Sequence, residues 1–177
     1  MKKVLIAVGG MKGSEGILES FHNFVSSADK VILLHVEQLE GNSSMTAMLG
    51  DAEMSTLRES LKGTEYKQAL DRRAERILSY YKAELRLDHA TKSTNSMTIK
   101  TVIKEGHPEE EILKLADEEG VDLIIVGCSG KTRLQRMVNC CVSKQVEKHA
   151  KMHVLIAKGD GCGLHAHLWQ GREAYAI

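Results

Sequence analysis

Two glycines three residues apart follow a short apolar run in the second half of the chain. The run Leu123 to Val126 leads directly into Gly127-Cys128-Ser129-Gly130. Glycines after a strand let the backbone approach a ligand and let N–H groups converge on an anion. The segment is not a Walker P-loop, because the first glycine of that motif would fall on Ile125. These residues therefore predict the rim of a crevice for an anionic ligand.

The second candidate is the start of a predicted helix at Cys140-Cys141-Val142-Ser143. Free N–H groups at a helix N-terminus favour an anion, so this helix start and the glycine loop are expected to hold a phosphate together. The adjacent thiols also suggest redox or metal-responsive chemistry, since a helix N-terminus favours the thiolate. The alternative, which the sequence favours, is that two small residues occupy these positions without reactivity.

Metal-binding and catalytic motifs are weak or missing. His149 and His153 are four apart, and Cys162, His165 and His167 lie near the C-terminus. Their spacing matches no zinc finger, so we expect no metal site. The sequence has no Gly-x-Ser-x-Gly, His-Glu-x-x-His or His-x-Gly-His motif. We therefore expect a binding protein and not an enzyme.

The composition argues against several classes of partner. The 24 basic and 24 acidic side chains cancel, so no global charge favours nucleic acid or an anionic membrane. No window reaches the roughly 20 apolar residues that span a bilayer. Four cysteines without disulfide spacing suit a reducing compartment. We expect a cytoplasmic protein that binds neither nucleic acid nor membrane.

The elements that must position these residues show two alternating apolar patterns. Short unbroken apolar runs are typical of strands buried on both faces of a parallel sheet. Four segments have this pattern: Val4 to Val8, Val31 to Val36, Leu123 to Val126 and His153 to Ala157. Thr98 to Lys104 instead alternates, which predicts a strand nearer a sheet edge.

Helical spacing separates these runs, and Pro108 and Gly120 delimit the shortest of the expected helices. Strands and helices in alternation predict an open, doubly wound parallel α/β sheet with helices on both faces. Ligands of such sheets bind beyond the strand C-termini, which places Gly9-Gly10, Val36-Glu37 and Gly127 to Gly130 on one edge. The apolar helix stripes are Ile17, Leu18, Phe21, Phe24, Val25 and Ala28; Leu70, Ala74, Ile77, Tyr81 and Leu85; Ile112, Leu113 and Ala116; and Val142, Val146, His149 and Ala150.

Two stretches depart from this alternation. Residues 39–63 include Gly41-Asn42-Ser43-Ser44 and predict an insertion made of a loop and a weak helix. A surface insertion is favoured over a lid on the crevice. From Gly159 onward, repeated glycines predict irregular structure around the single tryptophan, Trp169. We expect one domain over residues 1–158 and a tail over 159–177.

The order and spacing of several segments resemble the universal stress protein family. The resemblance covers roughly residues 2–158 and leaves out the insertion and the tail. The similar segments are Gly106-His107-Pro108 with Ile112-Leu113 and Ala116, Asp122 to Gly127, Val142-Ser143 with Val146 and His149-Ala150, Val154-Leu155-Ile156, Val4 to Val8, and Leu33 to Val36.

This resemblance implies a Rossmann-like, five-stranded parallel sheet of order 3-2-1-4-5 and a homodimer paired through the last strand, Met152 to Lys158. Some family members bind ATP or AMP without a settled enzymatic reaction, and others bind no nucleotide. Binding members carry Gly, two residues, Gly, nine residues, then Gly and Ser or Thr. The implied function is a non-catalytic, stress-response-type binding protein whose ligand is AMP, or ATP with Mg²⁺.

Three positions depart from the pattern of the binding members. Gly127 and Gly130 match its first two glycines, but Cys140 and Cys141 replace the last two positions. A side chain at 140 fills space that a phosphate would use, and a thiol donates more weakly than a hydroxyl. Gly9 stands where binding members have an aspartate. The remaining pocket positions implied by the resemblance are Ala7, Val8, Val36, Val126, Ser129, Val142 and Ser143.

Retained and lost nucleotide binding both remain open. One alternative function is a dimeric interaction protein, or a redox-responsive one that uses Cys140 and Cys141 and binds no nucleotide. An enzyme, either a slow ATP hydrolase or a thiol-dependent catalyst using Cys140 or Cys141, is less favoured, because the sequence places no general base beside those thiols.

Overall fold

The computed structural model describes residues 2–11, 14–25, 28–38, 50–92, 97–128, 142–158 and 167–169. Strands and helices alternate along most of this chain. The strands are β1 (Lys3–Ala7), β2 (Lys30–Glu37), β3 (Thr98–Glu105), β4 (Leu123–Cys128), β5 (His153–Lys158) and β6 (His167–Trp169). The helices are α1 (Ser14–Phe24), α2 (Asp51–Leu61), α3 (Glu65–Lys92), α4 (Pro108–Glu119) and α5 (Val142–His149).

The strands form one sheet in the order β3-β2-β1-β4-β5-β6. The first five are parallel, with Val4 aligned to Val31 of β2 and to Leu123 of β4. The expected order 3-2-1-4-5 is therefore confirmed. The expectation of irregular structure after Gly159 was wrong at β6, which pairs antiparallel with β5. Three residues are too few to show an apolar period, and their partner strand is remote in sequence.

Helices cover both faces of the sheet, as the unbroken apolar runs predicted. On one face, α1 and α3 pack on residues that include Val4, Leu33 and Ile125. On the other, α4 and α5 pack on the alternate residues, including Leu5 and Ile32. Successive side chains of a strand point to opposite faces, so burial of both faces favours an unbroken apolar run such as Val31 to Leu34 in the middle of β2. Full burial of each Leu or Ile contributes about 1.5–3 kcal/mol.

Strand β3 is the outermost strand on its side of the sheet and pairs with β2 alone. Ile99 and Val102 are half-buried, while Lys100 and Thr101 are exposed. This confirms the expectation of an edge position from the alternating pattern. Lysines on an edge strand oppose pairing with another sheet.

The helix boundaries follow local signals. Helix α4 begins at Pro108, and Gly120 ends it in the left-handed conformation with φ of 59°. The stripe of α3 is confirmed, since Ala74, Ile77 and Leu85 are buried. In α1 the stripe was wrong at its end, because Phe24 closes the helix and is 51% exposed.

Helix α2 lies within the stretch expected to be an insertion. Its first turn is capped by the carboxylate of Glu53, which accepts a hydrogen bond from the Gly50 N–H at 2.6 Å. Arg58 of α2 lies beside Gly106 at the end of β3. Residues 39–49 lie outside the described residues. None of the described helices combines the length and apolar character needed to cross a bilayer.

Candidate functional site

Four of the pocket residues implied by the resemblance come together where β1, β2 and β4 end. Ala7 aligns with Val126 in the sheet, and both are buried. Val36 of β2 and Val142 at the start of α5 pack against the same apolar cluster and are half-buried. We call Ala7, Val36, Val126 and Val142 the edge cluster. Its position at the carboxyl ends of parallel strands is where ligands of open α/β sheets bind.

Val8 departs from this grouping. Its side chain is 3% exposed and belongs to the cluster under α1 and α3, on the opposite face of the sheet. The side-chain alternation of a strand places Val8 away from Ala7. The Val8 side chain therefore does not reach a ligand at this end of the sheet, and its N–H already donates to the Leu34 carbonyl at 2.9 Å.

The loop after β1 is held by two side chains whose role the sequence interpretation missed. The Val8 carbonyl lies 2.7 Å from His35 Nδ1, so this nitrogen carries the proton and donates. The Tyr81 hydroxyl donates to the Gly10 carbonyl at 3.2 Å. Burial raises the pKa of the Tyr81 hydroxyl, which keeps it protonated. The sequence signal that could have revealed this role is a polar group at an apolar position, namely His35 within the run Val31 to Val36 and Tyr81 within the stripe of α3.

Gly9 and Gly10 are not required by the fold. A Cβ added at either residue would meet no atom of the described residues within 4 Å. Neither residue has a positive φ among the described glycines. Among the described residues, no contact with a Cβ at Gly9 explains why the aspartate is absent.

The sequence context of Gly127 suggested a ligand loop, whereas the structure gives helix packing as a reason for the glycine. A Cβ at this position would lie 3.0 Å from Ile17 Cδ1 and 3.4 Å from Ile17 Cγ1. Helix α1 thus packs directly on the backbone of β4 at Gly127. A side chain at this position would force Ile17 to shift, so the packing of α1 favours glycine whether or not a ligand also approaches this backbone.

The start of α5 brings one polar residue into the interior. Ser143 is 1% exposed and is engaged in an interaction. Four further predicted site residues lie outside the described residues, namely Ser129, Gly130, Cys140 and Cys141. The described part of the site therefore comprises the ends of β1, β2 and β4 and the first turn of α5.

A charged cluster that the sequence interpretation missed fixes the ends of β2 and β3. Lys67 Nζ lies 2.5 Å from Glu37 Oε2 and 2.6 Å from both Asp71 Oδ1 and Glu105 Oε1. Burial lowers the pKa of Lys67, but hydrogen bonds to the three carboxylates raise it more, so the net shift is upward. The Glu37 side chain is 3% exposed. Because Glu37 follows Val36, this cluster holds the edge cluster in place from the other face.

A second charged cluster lies at the other end of the strands, where β1, β2 and β3 begin. Glu119, the last residue of α4, accepts hydrogen bonds from Lys30 at 2.8 Å and from Lys100. Its backbone carbonyl accepts from Lys3 Nζ at 2.8 Å. Hydrogen bonds from Lys100 and Lys30 lower the pKa of Glu119 to about 2. This cluster joins α4 to the beginnings of three strands, far along them from the candidate site.

The histidines considered for metal binding do not converge in the described residues. His149 is exposed and hydrogen-bonds the Gln145 carbonyl at 3.0 Å, and His153 is exposed at the start of β5. Cys162 and His165 lie outside the described residues. Where the chain is described, no group of three His, Cys, Asp or Glu side chains is placed to hold a metal ion.

Comparison with known proteins agrees with this architecture. The chain is 32% identical over 161 residues to the universal stress protein MJ0577 of Methanocaldococcus jannaschii, covering 89% of this chain and 94% of that protein. A solved structure of MJ0577 has a TM-score of 0.56 at 28% identity and covers 89% of this chain and 95% of that one. A universal stress protein family protein of Arabidopsis thaliana with AMP bound shares the fold with a TM-score of 0.54 at 17% identity, covering 90% of this chain and 93% of that one.

A universal stress protein in complex with cAMP also shares the fold, with a TM-score of 0.57 at 21% identity, and covers 88% of this chain and 96% of that one. The sequence model of the universal stress protein family matches residues 1–158. The resemblance expected from the segments around Gly127 and Ser143 is thereby confirmed. The chain belongs to the universal stress protein family.

Proposed function

We propose that this chain binds an adenine nucleotide, AMP or ATP with Mg²⁺, at the edge cluster and catalyses no reaction on it. The observation that carries the proposal is the convergence of Ala7, Val36, Val126 and Val142 at one end of the parallel sheet. Ala7 and Val126 are buried, but half-buried Val36 and Val142 offer apolar surface beside the N-terminus of α5, which suits a ligand with a flat base and a phosphate. The cysteine content fits action in the cytoplasm.

The loop after β1 supports this proposal. His35 of β2 donates to the Val8 carbonyl, and Tyr81 of α3 donates to the Gly10 carbonyl. Both donors therefore lie outside the loop, in the sheet and in the helix that packs on it. A loop held in this way loses little conformational freedom when a ligand binds. The fold shared with proteins solved with AMP and with cAMP gives the same expectation for the ligand class.

We further propose that binding is weak. A carboxylate that would orient the nucleoside is absent at Gly9, although space for it exists. Cys140 and Cys141 replace a glycine and a hydroxyl-bearing residue of the family pattern. Each missing charge-assisted hydrogen bond weakens binding by about tenfold or more.

Calorimetric titration with AMP, ADP and ATP, with and without Mg²⁺, tests the proposal on three variants beside the native chain. Gly9→Asp should bind about tenfold more tightly, because the added carboxylate can accept hydrogen bonds from a ribose. Gly10→Asp is the matched control, since it adds the same charge in equally open space one residue away. Cys140→Gly with Cys141→Ser should also tighten binding.

The outcomes separate the alternatives. No binding by the native chain or by any variant would refute the nucleotide proposal. Equal gains from Gly9→Asp and Gly10→Asp would show an effect of net charge and not of the site. Release of ADP from bound ATP would favour a slow hydrolase, and thiol labelling without nucleotide binding would favour the redox alternative.

We also propose that two copies of the chain associate through β5, the strand that the family resemblance assigns to dimer contact. Val154, Leu155 and Ile156 give β5 an apolar centre. Where β6 does not cover it, the side of β5 turned away from β4 would offer unpaired N–H and C=O groups to a second copy. Sedimentation velocity over a range of concentrations measures this association.

A further inference from the structure

The outer edge of β5 is already paired within the chain. Val154, Leu155 and Ile156 align with Trp169, Leu168 and His167 of β6 in an antiparallel ladder. β4 occupies the other side of β5. Over these three residues β5 therefore has no free edge while β6 is docked, and a second copy cannot pair there.

The pairing with β6 is short. It spans three residues, whereas β4 aligns with β5 over six. A ladder of three residues has few hydrogen bonds, and each contributes little net stability in water. β6 is therefore the strand of this sheet with the least backbone pairing and the one most easily displaced.

We propose that β6 competes with a second copy of the chain for the edge of β5. Docked β6 keeps the chain monomeric, and release of β6 opens the edge to a dimer. This inference rests on the proposed association through β5. Residues 159–166 alone separate the two strands in sequence. A connection of this length gives β6 an effective concentration on the order of millimolar, which a micromolar partner must overcome.

The other end of the sheet is a poorer site for self-association. Strand β3 also lacks an outer neighbour, but it carries Lys100 and Lys104. Two copies meeting at β3 would bring like charges together, which discourages pairing. β5 has apolar residues at the corresponding positions of its centre. Self-association is therefore expected at β5 once β6 is removed.

A pair of variants of the full chain tests the competition. Hydrogen bonds alternate along an antiparallel ladder, so prolines at both 167 and 168 remove a donor in either phase. His167→Pro with Leu168→Pro should therefore release β6, whereas His167→Ala with Leu168→Ala keeps both N–H groups as the matched control. We expect the proline variant to dimerise at least about tenfold more tightly than the native chain.

Two readouts show that the variant acts as intended. Trp169 is the single tryptophan and lies on β6, so its fluorescence reports on this strand alone. Its fluorescence anisotropy at low protein concentration should fall in the proline variant, because a released strand moves more freely, and circular dichroism should show the remaining fold intact. Amide hydrogen exchange at residues 154–156 should slow with rising protein concentration in that variant, because the second copy protects the β5 edge.

Each outcome bears on one of the two proposals. A proline variant that stays monomeric at all concentrations refutes association through β5 and with it the competition. Equal dimerisation of the native chain and the proline variant refutes the competition and leaves the dimer standing. A dimer that does not protect residues 154–156 shows a different interface and overturns both. Equal effects of the alanine and proline variants would trace the effect to side chains and refute the strand mechanism.

Discussion

At the scale of single residues, two glycines at neighbouring strand ends have opposite surroundings. At Gly127 an added Cβ would press against Ile17 of α1 at 3.0 Å, whereas at Gly9 it would meet no atom within 4 Å. Both glycines belong to the expected ligand loops. Only Gly127 is fixed by packing of the fold, so Gly9 alone can change without disturbing the core.

Gly127→Ala should lower the free energy of unfolding by about 1–3 kcal/mol, because the buried Ile17 side chain must shift. Urea unfolding measures this change. Gly9→Ala is the matched control, and we expect a change within about 0.5 kcal/mol. Ile17→Val deletes the closest atom, so in the double variant it should recover roughly half of the Gly127→Ala loss. Strict additivity of the two substitutions would contradict the contact.

At the scale of elements, two lysine–carboxylate clusters attach helices to the sheet, one where β2 and β3 end and the other where they begin. Lys67 joins the first turn of α3 to the ends of β2 and β3. Glu119 joins the end of α4 to the beginnings of β2 and β3 through Lys30 and Lys100. Both clusters gather charges from segments distant in sequence, so spacing along the chain could not reveal them.

Lys67→Met should destabilise the protein by about 2–4 kcal/mol, because it leaves the buried Glu37 carboxylate without its counter-charge. Thermal or urea unfolding measures the loss. Lys62→Met is the control, since Lys62 and Glu59 form an exposed ion pair of about 0.5 kcal/mol or less. Adding Glu37→Gln to Lys67→Met should restore part of the stability. Similar losses from Lys62→Met and Lys67→Met would show that burial of Glu37 has no such effect.

The low pKa of Glu119 makes its cluster sensitive to acid. The folded state holds this carboxyl near a pKa of about 2, below the ordinary value of 4.5. Its stabilisation is therefore present above pH 4.5 and is lost as the pH falls towards 2. Glu119→Gln should lose less stability than the native chain between these pH values in urea titrations. Exposed Glu118→Gln should follow the native profile, and an identical slope for all three proteins would disprove the role of Glu119.

At the scale of the whole molecule, burial on both faces of the sheet made most of the fold predictable. The apolar run Val31 to Val36 lies within β2, and Thr98 to Lys104 lies within the edge strand β3. Apolar periodicity records how many faces of an element are buried, which is why these predictions succeeded. The sequence did not predict β6, because a strand of three residues shows no apolar period and forms only by pairing with β5.

The candidate site was predictable only in part. The resemblance named Ala7, Val36, Val126 and Val142, which the sheet brings together, but it also named Val8, whose side chain faces the other way. Orientation of this kind depends on strand register, which motif spacing does not encode. Likewise, the contact between Gly127 and Ile17 joins residues remote in sequence, so the sequence alone suggested a ligand where a helix packs.

The open space beside Gly9 also bears on how such a protein changes over generations. The glycine codons GGU and GGC become aspartate codons through a single base change, and no described atom lies within 4 Å of a Cβ at Gly9. Under the proposed function, selection on this position acts through ligand affinity and not through protein abundance. The proposed function therefore predicts that ligand affinity can change in one mutational step while the scaffold stays the same.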